Sequence, residues 1–341
     1  MAMTRWRLHV MKMKHILATA GLVGAAAVTV QAKYVEKRSV SSKVLENLLR
    51  LQPKRMFSPY KHMENLVTYD YYLHKNEQPW SMDARLSRQY DVQVPTSYDN
   101  TYELHGKYGD QRYTVIYLHG GCFWNQPLGM QVRLARKLAD TISATVLMPI
   151  YPLAPAHDFK DVLDMLEKVY RQVLETTAPD KIILLGNSAG GGLALTLAEY
   201  LKTVDLPQPK DIIALSPVLD VGLTNEEIGH YEAADPILDR YSLQVMMGHY
   251  YARNTDTTDW RVSPLYGDIS NLGHIALFVG TREILYPDAV KFRDKAKAAG
   301  IHLNFFEYPY MVHDFFGLPI PETEQAFDQI IRIIEKPVEV G

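Results

Sequence analysis

The sequence predicts an α/β fold in which a mainly parallel central sheet is flanked by helices. Short apolar runs with strand character alternate with helix-patterned segments over most of the chain, as in sheets whose two faces are both covered. Strands are expected near residues 113–118, 145–150, 181–186, 212–216, 275–280 and 303–308, and helices near 128–141, 158–175, 189–203, 287–299 and 322–335. Functional side chains in such a sheet gather beyond the carboxyl ends of the strands.

The N-terminal segment, residues 1–32, has the pattern of a signal peptide or membrane anchor. Basic residues precede an apolar run at 16–30, and no acidic residue occurs before Glu36. The run is shorter than the about 20 residues of a transmembrane helix, and Val30-Gln-Ala32 offers the small residues that a signal peptidase reads. We expect an exported or envelope-anchored protein with membrane association through this segment. A cytoplasmic protein with an N-terminal extension is the alternative.

Two further segments have the composition of a cap over the core domain, which spans 111–341. The first, 33–110, is expected to hold cap helices and leading strands, and the second is an insertion near 221–262. Helical spacing of apolar residues predicts one helix in each, over Val44, Leu45, Leu48, Leu49 and Leu51 and over Leu243, Val245, Met246, Met247, Tyr250 and Tyr251. Residues 69–73 and 90–94 suit short strands leading into the sheet.

Composition excludes several classes of function. The chain is 47% hydrophobic and 22% charged, as in ordinary soluble domains. Its net charge of −3 gives no basis for binding nucleic acid. The one cysteine, Cys122, rules out a disulfide within the chain. No motif for a metal, nucleotide or dinucleotide is present, so neither a metal nor an organic cofactor is expected.

The most informative motif is Gly186-Asn-Ser188-Ala-Gly190, which follows a strand-like apolar run and precedes a helix-like stretch. Such a motif places a serine on a sharp strand-to-helix turn, where larger residues at the two glycine positions would collide. The backbone N–H of Ala189 and the positive end of the helix then face any anion that develops on a bound molecule. An ordinary glycine-rich turn is the alternative.

A second glycine motif, His119-Gly-Gly-Cys122, ends the strand expected at 113–118. Gly120 and Gly121 allow the backbone to approach a ligand and to supply further N–H donors, while His119 holds the loop by a hydrogen bond. A tight structural turn with a packed histidine is the alternative.

A serine nucleophile needs a general base and an acid, and a candidate for each follows one of two later strands. Glu283 follows the strand at 275–280 and is the expected acid, with Asp288 as a fallback. His313 follows the strand at 303–308 and is the expected general base. The alternative for this histidine is a packed residue, and Asp314 is a candidate helix cap.

These motifs, in this order, resemble the α/β-hydrolase superfamily and within it the hormone-sensitive-lipase-like carboxylesterases. The family's H-G-G-G loop matches His119-Gly-Gly-Cys122, and its G-D-S-A-G-G elbow matches residues 186–191. The family's Y-x-L-A-P segment matches Tyr151-Pro-Leu-Ala-Pro155, and the resemblance extends over about residues 112–335. The chain departs from the pattern at Cys122, which replaces a glycine, and at Glu283, where many members have aspartate.

The resemblance implies an α/β-hydrolase fold with a helical cap, and a serine carboxylesterase acting on small-molecule esters with short to medium acyl chains. Ser188, His313 and Glu283 would form the triad, without a cofactor. Gly120, Gly121 and Ala189 would supply the oxyanion hole, and Cys122 and Trp124 would line the substrate pocket. A serine hydrolase of amide or peptide bonds, an acyltransferase and a non-catalytic ligand-binding protein of the same fold are the alternatives.

Overall fold

A seven-stranded sheet lies at the centre of the protein, which a computed structural model describes over residues 26–51, 66–93, 98 and 100–336. The strands are β1 (Thr101–His105), β2 (Tyr113–Leu118), β3 (Ala144–Pro149), β4 (Ile182–Asn187), β5 (Asp211–Leu215), β6 (His274–Gly280) and β7 (Leu303–Tyr308). They lie in the order β1-β3-β2-β4-β5-β6-β7, and all neighbours are parallel except β1 and β3. The predicted fold class is confirmed.

Helices cover both faces of the sheet. They are α1 (Val40–Leu51), α2 (Leu66–Glu77), α3 (Ala84–Tyr90), α4 (Gly129–Ile142), α5 (Phe159–Leu174), α6 (Ala189–Thr203), α7 (Ile228–Glu232), α8 (Arg240–Leu243), α9 (Tyr286–Ala298) and α10 (Pro321–Glu335). Residues Gln31–Val35 and Gln244–Tyr251 are π-helical.

The core lies in two layers on either side of the central strands. Ile182 and Leu184 of β4 pack with α5, α6 and α9, whereas Ile183 and Leu185 pack with α4 and α10. Every residue of β4 is buried, which is why the strand is apolar throughout rather than alternating. The strands and helices expected in the core agree with the structure to within one residue at each end.

The prediction of strands at 69–73 and 90–94 is wrong. The first segment lies inside helix α2, where Tyr69 stacks on Tyr250 and Tyr72 meets Trp124 edge to face at 5.5 Å between ring centres. In the second segment only Gln93 pairs with a strand residue, and residue 94 lies outside the described residues. Aromatic residues favour strands locally, but here their packing against the insertion favours a helix. The leading strand is β1 instead.

The two helices predicted in the cap segments are both present. In the first, Leu45 and Leu49 are partly buried against the core, but the other predicted apolar residues are not. In α1 the apolar residues Val44, Leu48 and Leu51 are exposed, whereas Lys43 and Glu46 are buried. In the second segment Met246, Met247 and Tyr251 are buried and belong to the core.

Most of the expected signal peptide or anchor, residues 1–25, lies outside the described residues. The chain is helical from residue 26, and Ala32 at the end of the predicted cleavage motif is buried. Within the ranges that the structure describes, no helix is long and apolar enough to cross a membrane.

One buried carboxyl group in α6 gives a stability prediction. Glu199 is buried with neither carboxyl oxygen hydrogen-bonded to a described residue, and it lies against the backbone of Gly267. Burial raises its pKa to about 8, although Lys295 and Lys202 act in the opposite direction. An unfolded chain loses this proton near pH 4.5, so the folded state loses stability as the pH rises from there to about 8.

Glu199→Gln removes this titration. Above about pH 8 it is expected to raise Tm by about 2–4 °C for each kcal/mol of stability that it restores, with little change near pH 4.5. Thermal melts across this range test the expectation. Melting curves of the variant and the wild type that shift with pH in parallel would contradict it.

Candidate active site

Ser188 occupies the turn between β4 and α6, where its backbone has φ 54° and ψ −121°. This conformation is strained for a residue with a side chain, and the surrounding loops hold it. The N–H of Ser188 donates to the carbonyl of Leu215 at 2.8 Å, and its own carbonyl accepts from the N–H of Val218 at 3.0 Å. The side chain therefore has a fixed origin just beyond the sheet.

The two motif glycines are required by close backbone contacts on either side of this serine. A Cβ on Gly186 would lie 2.1 Å from the carbonyl oxygen of Gly190, and a Cβ on Gly190 would lie 1.9 Å from the carbonyl oxygen of Leu118. Backbone atoms cannot yield to such contacts, so the turn can form only with glycine at both positions.

The structure brings Ser188, His313 and Glu283 together in one hydrogen-bonded chain. His313 Nε2 lies 3.0 Å from Ser188 Oγ, and His313 Nδ1 lies 2.5 Å from Glu283 Oε2. All three side chains are buried, and they follow β4, β7 and β6 respectively. The other oxygen of Glu283 accepts from the N–H of Gly280 at 2.7 Å and from Ser216 Oγ at 2.8 Å.

The fallback acid Asp288 is not part of this hydrogen-bonded set of side chains. It lies in the first turn of α9, where its carboxylate accepts from Asn225 Nδ2 at 3.0 Å. Glu283 occupies the position beside His313 because it lies in the turn that directly follows β6, whereas Asp288 comes five residues later, in α9.

Asp314 does not cap a helix. Its backbone is left-handed at φ 53° and its side chain makes no capping bond. Instead Oδ2 accepts from Asn187 Nδ2 at 2.7 Å and lies 3.8 Å from His313 Nε2. Burial alone would lower the pKa of His313, but the charge of Asp314 and the bond with Glu283 outweigh burial and raise that pKa to about 9.

The amide of Gly120 is not free to act as an oxyanion donor, so this expectation is corrected. Its N–H donates to Asn187 Oδ1 at 3.1 Å, and the same oxygen accepts from Tyr117 Oη at 2.9 Å. Among the described residues, no acceptor is hydrogen-bonded to the backbone N–H of Gly121, Cys122 or Ala189. Gly121 and Cys122 have φ 135° and 58°, which turns the loop at this point.

His119 is a structural residue of the same loop. It is fully buried, its Nδ1 donates to the carbonyl of Gly120 at 2.9 Å, and burial lowers its pKa to about 4. Its ring stacks on Tyr151 at 4.2 Å between centres, and Tyr151 Oη donates to the carbonyl of His119 at 2.6 Å. A neutral imidazole thus holds the loop in shape.

The two residues expected to line the pocket differ in exposure. Trp124 is fully buried and exposes no surface, because its Nε1 donates to the carbonyl of Met246 at 2.9 Å and its ring packs on Tyr72 and Tyr250. Trp124 therefore joins the loop to both cap segments. Cys122 as a residue is partly exposed. The protein around its thiol nevertheless excludes enough water to raise the thiol pKa to about 12, so the thiol stays protonated.

Sequence reasoning did not identify the residues that support this chain of side chains. Asn187 and Asp314 are adjacent to Ser188 and His313 in sequence, which is the one signal that points to them. Ser216 directly follows β5, as Ser188 follows β4. Asp235 has no such signal: its buried carboxylate accepts from the N–H of Ile284, next to Glu283, at 3.0 Å.

The site residues do not form a metal centre: the described ranges contain no group of three histidine, cysteine, aspartate or glutamate side chains placed to hold a metal ion.

Comparison with known proteins places residues 115–317 in a family described as the alpha/beta hydrolase fold. An esterase of Acinetobacter venetianus is 34% identical over 219 residues, 63% of this chain and 72% of that protein. An acetyl-hydrolase of Streptomyces hygroscopicus is 30% identical over 218 residues, 63% of this chain and 73% of that protein.

Solved structures extend the similarity towards the N-terminus. An esterase candidate from Staphylococcus aureus has a TM-score of 0.77 at 26% identity, covering 84% of this chain and 97% of that one. A hormone-sensitive lipase from a metagenome library has a TM-score of 0.70 at 24% identity, covering 86% and 97%, and so shares the fold.

Proposed function

The chain belongs to the α/β-hydrolase fold family, and on that premise we propose that it is a serine carboxylesterase acting on small-molecule esters with short to medium acyl chains. The observation that carries the proposal is the hydrogen-bonded chain from Ser188 through His313 to Glu283. The esterase and the acetyl-hydrolase that it resembles support an ester as the substrate.

The proposed reaction proceeds through an acyl-enzyme. Neutral His313 takes the proton of Ser188 Oγ as that oxygen attacks the ester carbonyl, and then gives the proton to the departing alcohol. Glu283 holds the imidazole with its proton on Nδ1 and stabilises the imidazolium as it forms. Water then attacks the acyl group, again with His313 as base, and Ser188 is released.

The oxyanion of each tetrahedral intermediate needs donors beside Ser188. We assign this role to the N–H groups of Gly121 and Ala189, and to that of Cys122 in place of Gly120. Each donor of this kind contributes about 2.7–4 kcal/mol to lowering the barrier. Asn187 holds the loop that contains Gly121 and Cys122 in place, because its side-chain oxygen accepts a hydrogen bond from the N–H of Gly120.

The enclosure of the site favours small substrates. Ser188 is only 4% exposed and Trp124 closes the loop against both cap segments. Turnover of p-nitrophenyl acetate and butyrate is expected, with a decline for longer acyl chains. A folded protein that cleaves none of these esters contradicts the proposal, and turnover of the matching anilides alone would favour the amidase alternative.

The pH dependence of catalysis follows from the environment of His313. The base must be neutral in the free enzyme, and its pKa is raised to about 9. kcat/KM is therefore expected to rise about tenfold for each pH unit and to level off above about pH 9.

Asp314→Asn removes a negative charge 3.8 Å from His313 Nε2. This change favours the neutral imidazole, so the acidic limb of the kcat/KM profile is expected to move to lower pH. The matched control is Glu335→Gln, a surface carboxylate paired with Arg112. An acidic limb that stays in place or moves to higher pH in Asp314→Asn contradicts this account.

We further propose that residues 1–32 export the chain or anchor it to the cell envelope, from the basic and apolar pattern of this segment alone. Fractionation of cells expressing the full chain tests this. Recovery entirely in the cytoplasmic fraction contradicts it.

A further inference from the structure

A cluster of charges with a buried centre joins the N-terminal helical region to the turns that carry Glu283 and His313. Its members are two acids and four cations: Glu36, Glu46, Arg38, Lys43, Arg50 and Arg282. Five of the six precede the segment that matches the hydrolase family, and Arg282 is the residue before Glu283. We call this set the ionic cluster.

Arg38 and Glu46 are the centre of the cluster, with side chains only 2% and 1% exposed. The guanidinium of Arg38 bonds to Glu46 and to Glu36, the latter at 2.7 Å from Nε. Glu46 also accepts from Arg282 and, at 2.9 Å, from Arg50. Burial would raise the pKa of Glu46, but the surrounding arginines outweigh burial and lower it, so the carboxylate is ionised.

The cluster contacts the turn after β7 that carries His313, the histidine turn. The contact is made at Tyr310, three residues before His313. Arg38 Nη1 donates to the carbonyl of Tyr310 at 2.9 Å. The guanidinium groups of Arg38 and Arg282 lie 5.6 Å and 5.0 Å from the centre of the Tyr310 ring, within the range of cation–π attraction. Tyr310 has φ 61°, an unfavourable conformation for an aromatic residue that its surroundings must maintain.

The histidine turn is also hydrogen-bonded to the turn after β6 that carries Glu283, the acid turn. The N–H of Tyr310 donates to Thr281 Oγ1 at 2.8 Å, and the N–H of Arg282 donates to the carbonyl of Met311 at 3.0 Å. A Cβ on Gly280 would lie 2.3 Å from that carbonyl oxygen. The two turns are therefore bonded into one unit, and the ionic cluster contacts this unit from the N-terminal region.

Helix α1 packs Leu45 and Leu49 against the core, but the contact of the N-terminal region with the turns that carry Glu283 and His313 is made by charges. Helix α1 exposes Val44, Leu48 and Leu51 and turns Lys43 and Glu46 inward. Buried ion pairs contribute little to stability because desolvation offsets their attraction, and in some proteins they fix a unique geometry instead. The geometry at stake here is the contact between Glu283 and His313.

We propose that Arg38 and Glu46 are positioning residues for the proposed ester-hydrolysis site: by holding Arg282 and Tyr310, they set the alignment of Glu283 with His313. This inference rests on the proposed function. It assigns to the N-terminal region, outside the family match, a part in setting the geometry of the triad through Arg282 and Tyr310.

Arg38→Gln and Glu46→Gln test the proposal in the full chain. Each is expected to lower kcat for p-nitrophenyl butyrate by about 10- to 100-fold while KM changes by less than about threefold, because a small misplacement of the base affects the reaction more than binding. The acidic limb of kcat/KM should move to lower pH, because a looser contact with Glu283 lowers the pKa of His313. Arg38→Lys keeps the charge without the two-armed geometry and should recover part of kcat.

The matched control is Arg112→Gln, which breaks the half-exposed pair of Arg112 with Glu335 at the surface and should leave both kcat and the acidic limb unchanged. If the single variants are unfolded by circular dichroism, the double variant Arg38→Met/Glu46→Leu removes the charges of this pair together and leaves the Glu36–Lys43 pair in place. It is expected to fold, with the same loss of kcat. Folded variants with the kcat and acidic limb of the wild type overturn the proposal.

A spectroscopic measurement separates this inference from the proposed function. The low-field proton NMR signal of the His313–Glu283 hydrogen bond, assigned by its loss in His313→Ala, does not depend on which bond the protein cleaves. The signal is expected to shift or broaden in folded Arg38→Gln. An unchanged signal overturns the positioning role, whether or not the wild type hydrolyses esters. A wild type that hydrolyses no ester rejects only the proposed function.

Discussion

Replacing Ser188 with alanine is expected to lower kcat for p-nitrophenyl butyrate by about a millionfold, leaving only the residual effect of substrate binding and the oxyanion donors. The alanine lacks the oxygen that lies 3.0 Å from His313 Nε2, so no acyl-enzyme can form. The variant should remain folded, because Ser188 makes its other contacts through its backbone. Steady-state hydrolysis beside a circular dichroism spectrum tests the expectation.

The matched control is Ser242→Ala, which removes a different buried serine hydroxyl, bonded to Asp239. This variant is expected to retain kcat within a few-fold. A Ser188→Ala protein that keeps more than about a hundredth of the wild-type kcat would mean that another group is the nucleophile.

The second large effect is expected at the acid. Glu283→Gln should lower kcat by about ten-thousandfold, through the tautomer of His313. The Oε1 position accepts from Gly280 N–H and Ser216 Oγ, so the glutamine must place its carbonyl there and its NH₂ towards His313. Nδ1 then has to accept, the imidazole proton moves to Nε2, and that nitrogen can no longer take the serine proton.

Asp288→Asn makes the same chemical change five residues away in sequence. Because Asp288 bonds to Asn225 rather than to His313, this variant is expected to stay within about threefold of the wild-type kcat. The reverse pattern, a large loss in Asp288→Asn and a small one in Glu283→Gln, would identify Asp288 as the acid and contradict the assignment.

The central fold was predictable because burial dictates its sequence pattern. Strands such as β4 are covered on both faces and are continuously apolar, and the turn at Ser188 admits only glycine at 186 and 190. The proximity of Ser188, Glu283 and His313 followed from their positions after three parallel strands. Local pattern and global fold agree at all of these residues.

The features that were not predicted depend on contacts between distant segments. Residues 69–73 form a helix because their tyrosines pack on Tyr250 and Trp124. The amide of Gly120 is occupied by Asn187, 67 residues further along the chain. The inward-facing carboxylate of Glu46 in α1 is paired with Arg282, more than two hundred residues away. No local pattern encodes such partners.

The most direct test of the central claim is to treat the folded wild-type protein with diethyl p-nitrophenyl phosphate and to locate the adduct by mass spectrometry. This reagent phosphorylates an activated serine and releases p-nitrophenolate without a rapid second step. The account predicts one diethylphosphoryl group per chain, on the peptide that contains Ser188, with loss of ester hydrolysis in proportion to labelling. Ester hydrolysis that persists without an adduct on Ser188, or an adduct on another residue that abolishes it, would contradict the account.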